Sequence, residues 1–195
     1  MSAINTAAAG NFDQVYSHLL TLKIPLLPPG KSTDPTYTDK IASLYVHPAL
    51  ESALHLLNCD LPSAHFLLRH MQAKPQLEGM FLHGILHRIE GDYDNARAWY
   101  RNVAESDVFR KCWSSKDKGL EFIDQVEALK KRHEGNQAEL ANRSLVEVKS
   151  VIEFCVEKFG KAKFENASTE WCQPQDERKQ IGQDMVTGGK GNRKF

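Results

Sequence analysis

The sequence predicts an all-α protein of one domain built from antiparallel helical hairpins, and three observations support this prediction. Apolar residues recur with helical spacing along most of the chain. No alternating run of β-branched residues bounded by turn residues is present. Prolines lie near predicted helix starts or in one irregular stretch over 25–36, and none occurs from 76 to 173. A length of 195 residues fits a single domain.

Apolar spacing and capping residues predict seven helices. Asp60, Asp92 and Asn136 are expected to cap helix N-termini, and Gly91 and Gly160 are expected to end helices. The predicted helices cover about 11–24, 48–58, 61–71, 76–90, 92–104, 116–134 and 137–159.

The C-terminal region differs from the rest of the chain in composition. Residues 166–195 are polar and become rich in glycine at their end. Such segments bury too little apolar surface to pack firmly. We therefore expect an all-α domain over 1–165, followed by a flexible tail over 166–195.

An internal similarity at an offset of about 32 residues indicates repeated hairpins, because segment 59–64 matches segment 91–96. The second unit resembles a tetratricopeptide repeat, with small residues where two antiparallel helices approach. Gly84 is expected to face Ala96 across that hairpin. The unit departs from the repeat at Met80, where the repeat has tryptophan, and its period is shorter than about 34 residues. An irregular bundle with one similar turn is the alternative.

Composition excludes several classes of protein. The 25 basic and 25 acidic residues balance, which argues against a nucleic-acid partner. No apolar run approaches the roughly 18 residues of a membrane span, and the first residues do not resemble a signal peptide. The four cysteines form no close pair, so free thiols are expected and no metal or redox motif of the CxxC type is present. We expect a cytoplasmic protein without a membrane partner and predict no cofactor.

Histidines are concentrated in one part of the chain, with five of the eight between residues 55 and 87. His83, His87 and Glu90 have the spacing i, i+4 and i+7, which places them on one face of a helix. The rest of that helix is mostly apolar. Polar groups in such surroundings need partners, so this stripe is the candidate functional site.

Three interpretations of the stripe remain open. In the first, the two histidines are structural and bond to Glu90, Asp92, Asn95 or backbone carbonyls. In the second, they line a pocket and bind or protonate a small molecule. In the third, they bind a metal ion as an i, i+4 pair, with Glu90, His65 or His70 as the third ligand.

The segment 83–103 resembles a family of small conserved bacterial and fungal proteins. That family has the pattern His-x-Ile-x-His-Arg-x-Glu-Gly-Asp-x-x-Asn-Ala, followed by Trp-aromatic-Arg. The chain departs from it at Leu82, Ala98 and Asn102, where Trp, Tyr and Arg are usual. No activity is attached to this family. The resemblance implies that six side chains act as a ligand-binding set: His83, His87, Arg88, Glu90, Asp92 and Asn95.

These observations favour a helical-hairpin binding or scaffold module for a peptide, a protein or a small ligand. The alternative is a small enzyme or metal-binding protein with its site at His83, His87 and Glu90. Whether the chain is an enzyme stays open at this point, because no catalytic residue can be assigned from the sequence.

Overall fold

Nine α-helices and two short 3₁₀ turns form the regular structure of residues 5–23 and 25–172, the part that the computed structural model describes. The helices are α1 (Asn5–Leu19), α2 (Thr38–Ala42), α3 (Pro48–Leu57), α4 (Leu61–Leu68), α5 (Leu77–Glu90), α6 (Tyr93–Val103), α7 (Asp107–Cys112), α8 (Lys116–Arg132) and α9 (Gln137–Phe159). No strand occurs in this part of the chain. The predicted all-α fold is confirmed.

Seven of these helices correspond to the predicted ones, with shifted ends. The largest shift is in α1, which was predicted over about 11–24 and is observed over Asn5–Leu19. Helices α2 and α7 were not predicted. They have five and six residues, fewer than two helical turns, so an apolar residue cannot recur often enough to reveal a period.

The two hairpins α3–α4 and α5–α6 turn in the same way. Asp60 caps α4 by accepting a hydrogen bond from the Ser63 backbone N–H at 3.4 Å. Asp92 caps α6 by accepting one from the Asn95 backbone N–H at 3.3 Å. The residue before each aspartate has a left-handed backbone, with φ of 54° at position 59 and 90° at position 91. The sequence similarity at an offset of 32 therefore corresponds to a repeated local structure.

Helix α5 forms the centre of the domain, since it is buried from Glu78 to Ile89 and packs against α3, α4, α6, α7 and α9. A glycine allows the close approach of α6. A Cβ on Gly84 would lie 2.9 Å from Cβ of Trp99 and 2.9 Å from Cδ2 of Tyr100. The nearest atoms to this position belong to Trp99 and Tyr100, one helical turn beyond Ala96, the residue that the sequence placed opposite Gly84.

The chain after α9 packs against the segment between α4 and α5. The Gln76 side chain donates to a Glu170 carboxylate oxygen at 2.9 Å, and the backbone N–H of Cys172 donates to the His70 carbonyl at 2.7 Å. The Trp171 ring lies edge-on to His70, with centroids 4.1 Å apart. Residues 166–172 of the predicted tail thus contact the helices, and residues 173–195 lie outside the described part. Among the described helices, none has the length and apolar content needed to cross a membrane.

Candidate metal centre

Helix α5 places His83, His87 and Glu90 on one face, as their spacing predicts. The helix ends at Gly91, whose left-handed backbone suits glycine and closes the last turn. His83 is 3% exposed and His87 is 8% exposed. The polar stripe is therefore buried, although Glu90 at its end is partly open to solvent.

A third histidine joins these two from the neighbouring helix. His65 on α4 lies with its ring centroid 5.0 Å from that of His83 and 5.6 Å from that of His87. One ring nitrogen from each of the three histidines can be chosen so that all lie within 4.8 Å of one another. We call these residues the three-histidine cluster. His70, another candidate for the third ligand, contacts Trp171 instead.

The His83 ring is held in place by stacking. It lies between Trp99, at a centroid distance of 4.8 Å and 16° between planes, and His87, at 4.7 Å and 12°. Neither ring nitrogen of His83 has a hydrogen-bond partner in the described part of the chain. The structural interpretation expected such partners for both helix histidines. For His83 they are not present, and a buried unpaired nitrogen is costly.

His87 is oriented by the start of α6. Its Nε2 lies 3.1 Å from the side-chain amide nitrogen of Asn95, within hydrogen-bond distance. Asn95 is held in turn by Asp92, which caps the same helix. The other nitrogen, Nδ1, lies 3.2 Å from Oε2 of Glu90 without hydrogen-bond geometry. An amide nitrogen only donates, so here Nε2 accepts and Nδ1 carries the proton of the neutral ring. For Nδ1 to bind a metal ion, the Asn95 amide would have to turn so that its oxygen accepts from Nε2–H.

The surroundings lower the pKa of two histidines of the cluster. Burial is the main cause of lowering the pKa of His83 to about 3, and the nearby His87, His65 and Arg69 contribute to the same shift. Burial also lowers the pKa of His65, although Glu90 raises it in part. Metal ions bind the unprotonated imidazole, which is the form that the lowered pKa values of His65 and His83 favour at neutral pH.

The ring nitrogens of the cluster are near one another, but the stacked rings of His83 and His87 would have to turn before both could bind one zinc ion. Tetrahedral zinc holds nitrogens at about 2.0–2.1 Å, which places them about 3.4 Å from one another. A spacing within 4.8 Å means that the rings need to close by at most about 1.4 Å. His65 can supply this movement because a quarter of its side chain is exposed. Glu90 is not one of the three residues whose ligand atoms converge, but its carboxylate oxygens lie 3.9 Å from Nδ1 of His65 and 3.2 Å from Nδ1 of His87.

One member of the set implied by the resemblance lies elsewhere. Arg88 is completely buried on another face of α5. Its Nη2 donates to Glu147 at 2.7 Å and to Ser144 at 3.1 Å, and its Nε donates to Tyr100 at 3.4 Å. The structure therefore brings together His83, His87, Glu90, Asp92 and Asn95, and it does not bring Arg88 to them.

Two residues of the site were not assigned to it from the sequence. The sequence leaves His65 as one of three possible third ligands. It gives no sign that Trp99 is more than an ordinary core residue. The concentration of histidines between 55 and 87 was the available signal for His65. Whether His65 or His70 becomes the third histidine of the cluster depends on how α4 packs against α5.

Comparison of the chain with protein-family models, with curated proteins and with solved structures found no match.

Proposed function

We propose that the protein binds one divalent transition-metal ion through His65, His83 and His87. The observation that supports this most is the state of His83, which is 3% exposed and has no partner for either ring nitrogen in the described structure. A buried imidazole without partners is destabilising unless something binds it. A metal ion beside the other two histidines would satisfy it.

Zinc is the metal whose preferences best fit this set of ligands. Three imidazole nitrogens and a nearby carboxylate are typical zinc ligands, and zinc accepts tetrahedral geometry. If the three histidines alone bind the ion, a fourth position stays open for water or substrate. Glu90 then lies beside that position and can accept a proton from bound water. In that form the protein would be a small metal-dependent hydrolytic enzyme.

Metal analysis and thermal unfolding test the proposal. We expect about one zinc per chain by elemental analysis. We also expect stabilisation by about 2.7 kcal/mol at a free zinc concentration a hundredfold above the dissociation constant. The test variant is His65→Ala, because His65 is the most exposed of the three and its loss should leave the fold intact.

The matched control is His70→Ala, a histidine five residues along the chain that faces Trp171. The control should bind zinc as the wild type does, whereas His65→Ala should lose the stabilisation. Equal zinc binding by wild type and His65→Ala would contradict the proposal, and so would a wild type that binds no zinc.

A second candidate function is a binding module of tetratricopeptide-like hairpins for a peptide, a protein or a small ligand. The equivalent caps at Asp60 and Asp92 favour it, because they show the same turn repeated at an offset of 32 residues. A ligand that stabilises wild type and His65→Ala equally, with no metal present, would favour this function.

Buried free thiols at Cys59 and Cys155 suit a reducing compartment such as the cytoplasm.

A further inference from the structure

A cavity of about 530 Å³ has Glu90 in its wall, and the Glu90 carboxylate also lies within 3.9 Å of His65 and 3.2 Å of His87. Its other walls come from the segment 28–32 and from the α3–α4 turn over 59–62. A Cβ on Gly91 would lie 3.4 Å from Cγ of Pro28, so this segment packs against the end of α5. We call this space the Glu90 cavity. Its volume is in the range of cavities that hold small molecules.

The walls of the Glu90 cavity combine apolar surface with one free cation. The apolar part is formed by three prolines and Leu61. Lys31 forms no ion pair and no side-chain hydrogen bond with any other residue that the structure describes. The Asp60 carboxylate is already engaged by Thr38 at 2.7 Å and by the Ser63 backbone N–H. Lys31 is therefore available to a ligand, while the Asp60 carboxylate is not.

Metal binding would make the charge of this region favourable for an anion. Three neutral imidazoles and one carboxylate around a divalent ion leave a net charge of about +1. On the wall of the same cavity Lys31 adds one positive charge and Asp60 one negative charge, so the net charge stays about +1. An acidic ligand would meet Lys31 in the cavity and the metal charge beyond Glu90, and its apolar part would lie against the prolines.

We propose that the Glu90 cavity is the ligand compartment of the metal site and that it takes a small organic carboxylate. The carboxylate reaches the open metal position beside Glu90, Lys31 strengthens its binding from the wall of the cavity, and the apolar body lies against the prolines. This inference rests on the proposed metal site. It adds the class of ligand and the direction from which the ligand enters.

Cobalt-substituted protein allows the metal site and the cavity to be tested separately. The visible absorption of Co²⁺ reports its ligands and its coordination number. We would titrate the cobalt protein with benzoate and hexanoate, and with benzamide and hexanamide as neutral counterparts of the same shape. The carboxylates should change the cobalt spectrum, and the amides should bind at least fivefold more weakly.

The variant Lys31→Met tests the role of the lysine. It should weaken carboxylate binding about fivefold, as expected for one partly exposed ion pair. The control is Lys23→Met, because Lys23 lines only the neighbouring cavity of about 640 Å³, whose walls do not include Glu90. That variant should keep the wild-type affinity for the carboxylates.

The possible failures can be distinguished. If the protein shows no cobalt bands, the metal site itself is wrong and this inference fails with it. If cobalt binds but neither carboxylate changes its spectrum, the inference alone is wrong. Equal affinity for acids and amides, or equal weakening by Lys31→Met and Lys23→Met, would also overturn it.

Discussion

Helix α5 carries two buried polar clusters on different faces, and they differ in how well their polar atoms are satisfied. On one face, Arg88 and Glu147 form an ion pair at 2.7 Å. Tyr100 and Trp113 each donate a further hydrogen bond to Glu147 at 2.7 Å. On the other face lies the three-histidine cluster, in which both nitrogens of His83 lack a partner among the described residues.

The difference separates a cluster whose polar atoms bond to one another from one whose buried nitrogens are unpaired. The Arg88 cluster links α5, α6 and α9, and its carboxylate has three donors, although Nη1 of the arginine has none. Such a group specifies how helices pack, because breaking it leaves a charge buried. The three-histidine cluster has ligand atoms that converge without satisfying one another. Natural proteins tolerate such an arrangement mainly at sites of function.

The largest effect is expected from breaking the structural cluster. Glu147→Ala leaves the Arg88 charge buried without its partner, and we expect a loss of about 3–5 kcal/mol in the free energy of unfolding, measured by urea denaturation. The double variant Arg88→Met/Glu147→Leu removes both charges and should recover most of that loss. If Glu147→Ala costs less than about 1 kcal/mol, the ion pair does not hold these helices together.

The next effect concerns the close contact that brings Trp99 against His83. Gly84→Ala places a Cβ about 2.9 Å from Cβ of Trp99, which cannot move without shifting α6. We expect a loss of about 1–3 kcal/mol in thermal or urea unfolding. An open helical position would instead gain about 1 kcal/mol from this change, so a stabilised variant would contradict the close approach.

A smaller effect is expected from the residue that orients His87. Asn95→Ala removes the contact with Nε2, and loss of such outer partners typically weakens metal binding about 10–100-fold. Competition with a zinc chelator measures this affinity. Asn102→Ala, at an exposed position of the same helix, is the control and should leave the affinity unchanged. Unchanged binding in Asn95→Ala would mean that Asn95 does not position the ligand.

The smallest expected effect has the opposite sign. Without metal, His83→Leu replaces two unpaired buried nitrogens by an apolar side chain, so the protein should gain about 1 kcal/mol in the free energy of unfolding. The same variant should no longer bind zinc. A clear loss of stability in urea would show that the His83 nitrogens have hydrogen-bond partners in solution. The two clusters would then not differ in how well their polar atoms are satisfied.

Local features of the sequence determined the helices and the first two histidines of the cluster. Apolar spacing predicted every helix of eight or more residues. Asp60 and Asp92 cap helices as predicted, because a cap acts within four residues of its own position. The pair His83 and His87 follows from helical geometry alone, since residues four apart lie on one face. These features need no knowledge of the rest of the chain.

Contacts between distant residues were decided by the tertiary structure. His65 joins the cluster because of how α4 packs against α5. From the sequence alone, His70 was an equally good candidate for the third histidine. Arg88 is adjacent to His87 in sequence, but it turns to Glu147, which lies 59 residues away. No local pattern specifies such a pairing, because the free energy that selects it comes from packing the helices together. The sequence therefore determined that histidines share a face, and only the packed structure decided which residues complete the site.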